Sequence, residues 1–211
     1  MNTHKISKKD WRLVEERFHK KLSSWKGKLL SIGGRLVLLD SVLSSLPMFM
    51  MSFFRRPKGD FKKLDYYISR FFWQSDEYKK KYRLIKWSIL NKPKSVGGMR
   101  IINLETQNLC LLSKWLFKLL NEDDIWLWLK RKKYLGDKTL SQVSKKVGDS
   151  HFLSGLMEVK DLFLSLGVFK VHSGDQTRFL EDLWLGNKTL KDEYPELYRI
   201  TSRKCYFGQC A

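Results

Sequence analysis

Three basic side chains and two tyrosines near residue 65 share one helical repeat. Lys62, Tyr66 and Arg70 stand at i, i+4 and i+8, and Lys63 and Tyr67 occupy the adjoining strip. At 3.6 residues per turn this spacing stacks them along one side of a helix. Ammonium and guanidinium groups bind phosphates by releasing condensed counterions, and phenol rings pack on sugars or stack on bases. Lys26 and Lys28 flank Gly27 upstream, and Arg35 follows Gly33-Gly34 at the expected start of a helix, where free N–H groups favour an anion. Most charged stripes are ordinary solvated faces, so the setting matters. Residues 1–100 carry 24 Lys/Arg against 8 Asp/Glu, a net +16, whereas residues 101–211 carry 17 against 14, a net +3. The anion-binding residues expected from this asymmetry are Lys26, Lys28, Arg35, Lys62, Lys63, Tyr66 and Arg70. The expected partner is a nucleic-acid duplex, RNA or DNA, held through its phosphates with little sequence preference.

Catalytic chemistry is hard to assemble from the remaining residues. His4, His19, His151 and His172 are scattered, and Cys205 and Cys210 at the end of the chain have no second ligand pair, so no metal site is expected. There is no Gly-rich phosphate loop followed by Lys-Ser/Thr, and no nucleophile-base pair stands out by spacing. Asp123-Asp124 reads as a helix-start pair that complements the dipole. Phe179-Leu180-Glu181-Asp182 echoes the aromatic-x-Asp-Asp turn that holds two metals in polymerases, but its first acid is Glu and no partner carboxylate can be named. The sequence is therefore expected to encode no enzyme by itself, with no catalytic residue and no cofactor.

Composition narrows the class. The chain has 211 residues, is 43% hydrophobic and carries a net charge of +19, so it can bury a core while remaining strongly cationic. Three cysteines are too few for a disulfide framework, which points to a reducing intracellular compartment, the nucleus ahead of the cytoplasm. Met1 to Trp11 lacks the apolar stretch of a secretory signal. Leu36 to Phe54 is the most apolar segment, but Asp40 and Pro47 interrupt it, so a buried helix is expected there and no membrane partner. Two rival classes remain: a helical module whose apolar faces dock on a missing partner domain, and a basic membrane-surface binder.

The elements that must position these groups are mainly helical. Trp11, Val14, Phe18, Leu22 and Trp25 form one apolar stripe, with Ser7 or Asp10 as a cap. Leu36, Leu39, Leu43 and Leu46 form a second, beginning near Gly34 and broken by Pro47, and Met48 to Phe54 a short third. Phe61, Leu64, Ile68, Phe71 and Phe72 define a helix over about 60–73 with Asp60 as its cap, which puts the Lys/Tyr/Arg face outward. Further helices are expected at 104–120, 124–134 and 150–166, with a last turn at 195–199. Trp11, Trp25, Trp115 and Trp126 fall at core spacing, while Trp87 and Trp184 are expected to pin loops. After residue 165 the period changes, and Ser173-Gly174-Asp175 reads as a β-hairpin turn. The fold class expected is mainly α, a helical thumb-like bundle with one small β-hairpin near the C-terminus. Its regions are a basic one over 1–100, a helical connection over 101–166, and a hairpin region over 167–211.

The order of several short motifs carries a family resemblance. Trp25-Lys26-Gly27-Lys28-Leu29-Leu30-Ser31-Ile32-Gly33-Gly34-Arg35, then Phe71-Phe72-Trp73, Trp87, Pro93-Lys94 and Gly97-Gly98 before Asn103-Leu104, follow one another in sequence. Gly148-Asp149-Ser150, Arg178-Phe179, Glu181-Asp182-Leu183-Trp184-Leu185-Gly186 and Tyr194-Pro195-Glu196-Leu197-Tyr198 complete the series. Together they resemble the post-palm thumb and connection of plant LINE-type (non-LTR) retrotransposon reverse transcriptases, over roughly residues 10–200. Leu180 stands where that family often has tryptophan, and Met99-Arg100 where it favours Leu-Gly. The resemblance implies a fragment of an RNA-directed DNA polymerase whose thumb holds the template-primer duplex. It also implies that the palm, with its catalytic aspartates, is a missing partner domain that precedes this region, and that a zinc-binding segment follows it.

Overall fold

The stripe of Trp11, Val14 and Phe18 winds into α1 (Lys8–Ser24), with all three side chains buried. This is the first element of a computed structural model that describes residues 8–24, 29–43, 45–56, 58–74, 84–122, 124–136, 138–167, 170, 178–182, 184–186 and 188–201. Ser31 caps α2 (Ile32–Leu38) by accepting the Gly34 N–H on its hydroxyl, so the helix starts two residues before the expected start at Gly34. The helix expected to continue to Leu46 instead widens into a π-helical turn over Leu39–Leu43. The Ser41 hydroxyl donates to the Val37 carbonyl at 2.7 Å, a side-chain competitor within the ladder just where it loosens. Pro47 then starts α3 (Met48–Phe53), as a residue without an N–H can.

α4 (Lys58–Gln74) buries Phe61, Leu64, Ile68, Phe71 and Phe72, the face its spacing specifies. It begins before Asp60, so that residue is no cap; it lies in the first turn, 3.9 Å from the Arg56 Nε. Asp10 likewise lies inside α1, and Ser7 is outside the described residues. After α5 (Trp87–Leu90) and a 3-10 turn (Lys94–Val96), Gly97 adopts φ 81°, a left-handed conformation that only glycine takes without strain. Gly98 is needed for a different reason. A Cβ there would sit 1.9 Å from the Lys92 carbonyl oxygen.

The remaining helices are α6 (Leu104–Asn121), α7 (Ile125–Tyr134), α8 (His151–Leu166), α9 (Leu190–Glu193) and α10 (Pro195–Ile200). The described residues are thus mainly helical and contain no β-strand. The hairpin turn expected at Ser173-Gly174-Asp175 lies outside them. Among the described residues no helix is long and apolar enough to cross a membrane.

By packing, the chain divides into two compact units. One comprises Met1–Leu112 with Ser150–Phe152, the other Ser113–Asp149 with Leu153–Ala211. The first is centred on Phe18, Met51, Phe61, Leu64, Phe72, Leu90 and Leu104, each of which contributes about 1.5–3 kcal/mol by leaving water. The second buries Leu116, Leu119, Leu127, Leu140, Val143, Leu156 and Val159. Within it Trp126 departs from its expected core position: Leu127, the next residue, takes the inward-facing place on α7, and Trp126 stands in solvent. Trp11 is core as expected, Trp115 is half-buried, and Trp25 lies outside the described residues.

Candidate nucleic-acid interface

The outer side of α4 presents Lys62, Lys63 and Tyr66 as exposed groups, with Tyr67 and Arg70 half-buried beside them. Two contacts tie this face to α1. The Lys63 Nζ lies 3.9 Å from a Glu15 carboxylate oxygen, and the Tyr67 ring meets His19 edge-on at 5.7 Å. Both pairs advance by four residues together, so α1 and α4 run side by side in the same direction along this seam. Tyr66 in turn packs edge-on against Tyr67 at 5.9 Å. The result is an aromatic run, Tyr66–Tyr67–His19, bordered by Lys62 and Lys63 on α4. His19 and Glu15 are members of this surface that sequence reasoning missed. Their signal was present, since both fall on the flank next to the Trp11–Val14–Phe18 stripe.

A buried polar node lies at the N-terminal end of this face. Arg56 is 1% exposed; its guanidinium donates to Glu15 at 2.9 Å and lies over the Trp11 ring, 4.8 Å from the centroid. Burial pushes its pKa down, opposed by the charges of Asp60 and Glu15. Asn108, fully buried on α6, accepts from the Arg56 backbone N–H and from the Arg55 guanidinium, and donates to the carbonyls of Met51 and Phe54. The segment leading from α3 into α4 is therefore fixed by one amide. The Asn108 amide is fully hydrogen-bonded and costly to remove. The Arg56 Nε and one terminal nitrogen, by contrast, are buried without a hydrogen-bond partner among the described residues, and the Nε faces Asp60 only at ion-pair distance.

Arg35 is placed differently from Lys62 and Lys63. It is buried, with Nε and one terminal nitrogen on the Leu30 carbonyl at 3.2 and 3.0 Å and the other on the Phe72 carbonyl at 3.0 Å. Its guanidinium thus joins the end of α4 to the start of α2 and does not share the outer face of α4. Lys26 and Lys28 lie outside the described residues. On the inner flank of α4, Asp65 has its pKa raised to about 6, mainly by burial, with Glu105 adding to the rise and a hydrogen bond from Trp87 opposing it.

The acids that echoed a polymerase turn are engaged within the second unit. Glu181 accepts from Tyr198 at 2.6 Å, from Arg178 at 3.1 Å and from Gln142. Asp182 accepts from Ser141 and from the Arg178 backbone N–H at 2.9 Å. These bonds tie the segment around 141 to that around 181 and to α10. Asp124 begins α7 without a side-chain cap bond, and Asp123 lies outside the described residues.

Two curated plant proteins are similar to this chain. An Arabidopsis thaliana protein described as a putative ribonuclease H protein is 34% identical over 191 residues, which is 88% of this chain and 31% of that protein. An uncharacterized mitochondrial protein of Arabidopsis thaliana is 29% identical over 148 residues, 69% of this chain and 96% of the relative. The chain therefore spans about a third of the first relative and nearly the whole of the second. No protein-family model matches the chain, and no solved structure matches it.

Proposed function

We propose that this chain is a plant retroelement-derived fragment of the thumb and connection of a LINE-type reverse transcriptase, and that it holds a nucleic-acid duplex without sequence preference. The observation that carries the reading is the α4 face. Lys62, Lys63 and Tyr66 are exposed, bordered by α1, and Lys63 shares the Glu15 carboxylate with the buried Arg56. Cations and phenols on a rigid helix suit a sugar-phosphate backbone, whose contacts set register without reading bases. Similarity to part of a longer protein described as a putative ribonuclease H protein supports a nucleic-acid context. The engagement of Glu181 and Asp182 in internal hydrogen bonds supports a non-polymerising role. In this reading the polymerase carboxylates belong to a separate palm domain, and the chain acts by binding.

Anisotropy titrations of the full chain with labelled DNA duplex and RNA–DNA hybrid test the proposal. Log affinity should fall linearly with log salt, and Lys62→Ala, Lys63→Ala and Arg70→Ala together should flatten the slope by up to about 2.7. An unchanged slope removes α4 from the interface. In a primer-extension assay no incorporation is expected; magnesium-dependent synthesis lost in Glu181→Ala would overturn the non-enzymatic reading.

A second reading has its own observation. Val37 and Phe49 in the first unit are large apolar side chains left in solvent, as a face that docks on another protein domain would leave them. Light scattering discriminates: concentration-dependent association reduced by Phe49→Ser favours docking.

A further inference from the structure

α7 carries an arrangement that the duplex reading does not use and that lies in the other unit. Leu127 turns inward, while Trp126 and Trp128 stand 60% and 50% exposed on either side of a ridge formed by Ile125 and Leu129. The helix is anchored firmly. Arg131 donates to the carbonyls of Leu119 and Glu122 at the end of α6, at 2.9 and 3.1 Å. The Lys130 ammonium sits 3.9 Å from the Trp115 ring centroid and 5.3 Å from that of Trp126. Lys132 lies 4.6 Å from the Trp128 centroid. Each exposed indole therefore has an ammonium over one side of its ring, a cation–π contact that at an exposed site is weak enough for the lysine to turn to a phosphate.

From this geometry we infer that α7 is a binding site for single-stranded nucleic acid. Bases stack on Trp126 and Trp128, and Lys132 and Lys133 take the adjoining phosphates. Stacking needs flat faces presented on a rigid support, and phosphate binding needs cations within reach of the same bases. Both conditions meet on three turns of helix. An anionic membrane fits the surface less well. Lys132 falls between Ile125 and Trp128 around the helix, and Lys133 between Leu129 and Trp126, so inserting the apolar ridge would drag two ammoniums into hydrocarbon. Interfacial helices keep their charges on the opposite face. A second copy of the chain is disfavoured because lysines would meet lysines.

The test uses the full chain and a labelled thymidine oligonucleotide about 12 nucleotides long, beside the matching uridine RNA, in salt titrations. Trp126→Ala with Trp128→Ala should weaken single-strand binding by at least about tenfold, while Trp126→Phe with Trp128→Phe keeps most of it, because phenyl rings still stack. Lys132→Gln with Lys133→Gln should flatten the salt slope by about 1.4. Duplex affinity should not respond to the tryptophan changes, and the Lys62/Lys63/Arg70 variant should leave the tryptophan dependence of single-strand binding intact. Failure at α4 and failure at α7 are thereby distinguishable. Wild-type affinity in the double alanine variant overturns the site, as does equal loss in the phenylalanine variant. Tryptophan-dependent flotation with phosphatidylserine vesicles, without oligonucleotide binding, overturns it in favour of a membrane.

Discussion

α4 and α7 are both basic, aromatic helices, yet they divide their residues in opposite ways. α4 segregates: its phenylalanines, Leu64 and Ile68 face the core, and Lys62, Lys63 and Tyr66 face out. α7 interleaves: Leu127 is its one buried residue, and tryptophans and lysines share the outward sector. Segregation leaves a surface whose binding is mostly charge, suited to a uniform phosphate backbone. Interleaving leaves stacking surfaces beside charges, which a paired duplex with its bases turned inward cannot use. The lesson is that apolar content alone does not assign a helix face; an apolar side chain can be held outside by a neighbour that fills the core better.

The largest expected difference is between a buried tryptophan, Trp11 on α1 against which α4 packs, and an exposed one, Trp126 on α7. Trp11→Ala should destabilise the first unit by about 3–5 kcal/mol, since the ring is buried beneath the Arg56 guanidinium. Trp126→Ala should cost less than about 1 kcal/mol in the second unit, because it leaves no cavity. Urea unfolding of both variants by circular dichroism checks this, and equal losses would mean that Trp126 on α7 is packed as a core residue, as Trp11 on α1 is. Next come the polar anchors. Asn108→Ala strands the Met51 and Phe54 carbonyls and the Arg56 N–H, for an expected loss of about 2–4 kcal/mol. Arg131→Ala exposes the α6 carbonyls to water, and a loss of about 1–2 kcal/mol is expected from the same measurement. Reversal of that order would mean that α7, not α4, is the more firmly supported platform.

The smallest expected effect is a pH-dependent one at Asp65, on the inner flank of α4. The Asp65 pKa is raised from 3.8 to about 6, so the folded chain holds a proton that the unfolded chain releases. The contribution of Asp65 to stability is therefore most favourable below about pH 4, falls as pH rises toward 6, and is flat above that. Asp65→Asn keeps an acceptor for Trp87 without the buried charge. Its melting temperature should exceed wild type by about 2–4 °C at pH 7, with the difference vanishing near pH 4. A constant difference across that range would assign the gain to something other than ionisation.

Much of the helical layout and of the α4 face was legible in the residues themselves. A period of 3.6 is local information, and Phe61 through Phe72 hold it strictly enough that the outward position of Lys62, Lys63 and Tyr66 follows from geometry alone. Pro47 declared itself by backbone chemistry that no tertiary contact can change. Arg35 and Arg56 read in sequence as two more cations. Whether a guanidinium faces water or caps carbonyls depends on what another segment brings to it: Phe72 for Arg35, Glu15 and Trp11 for Arg56. Asn108 gave no sign of its role, because its four partners come from residues more than fifty positions away. Trp126 shows the same limit from the other side. Its spacing fitted a core stripe, and only the packed second unit determined that Leu127 fills the inward place, since competition for buried volume is resolved between helices and not within one.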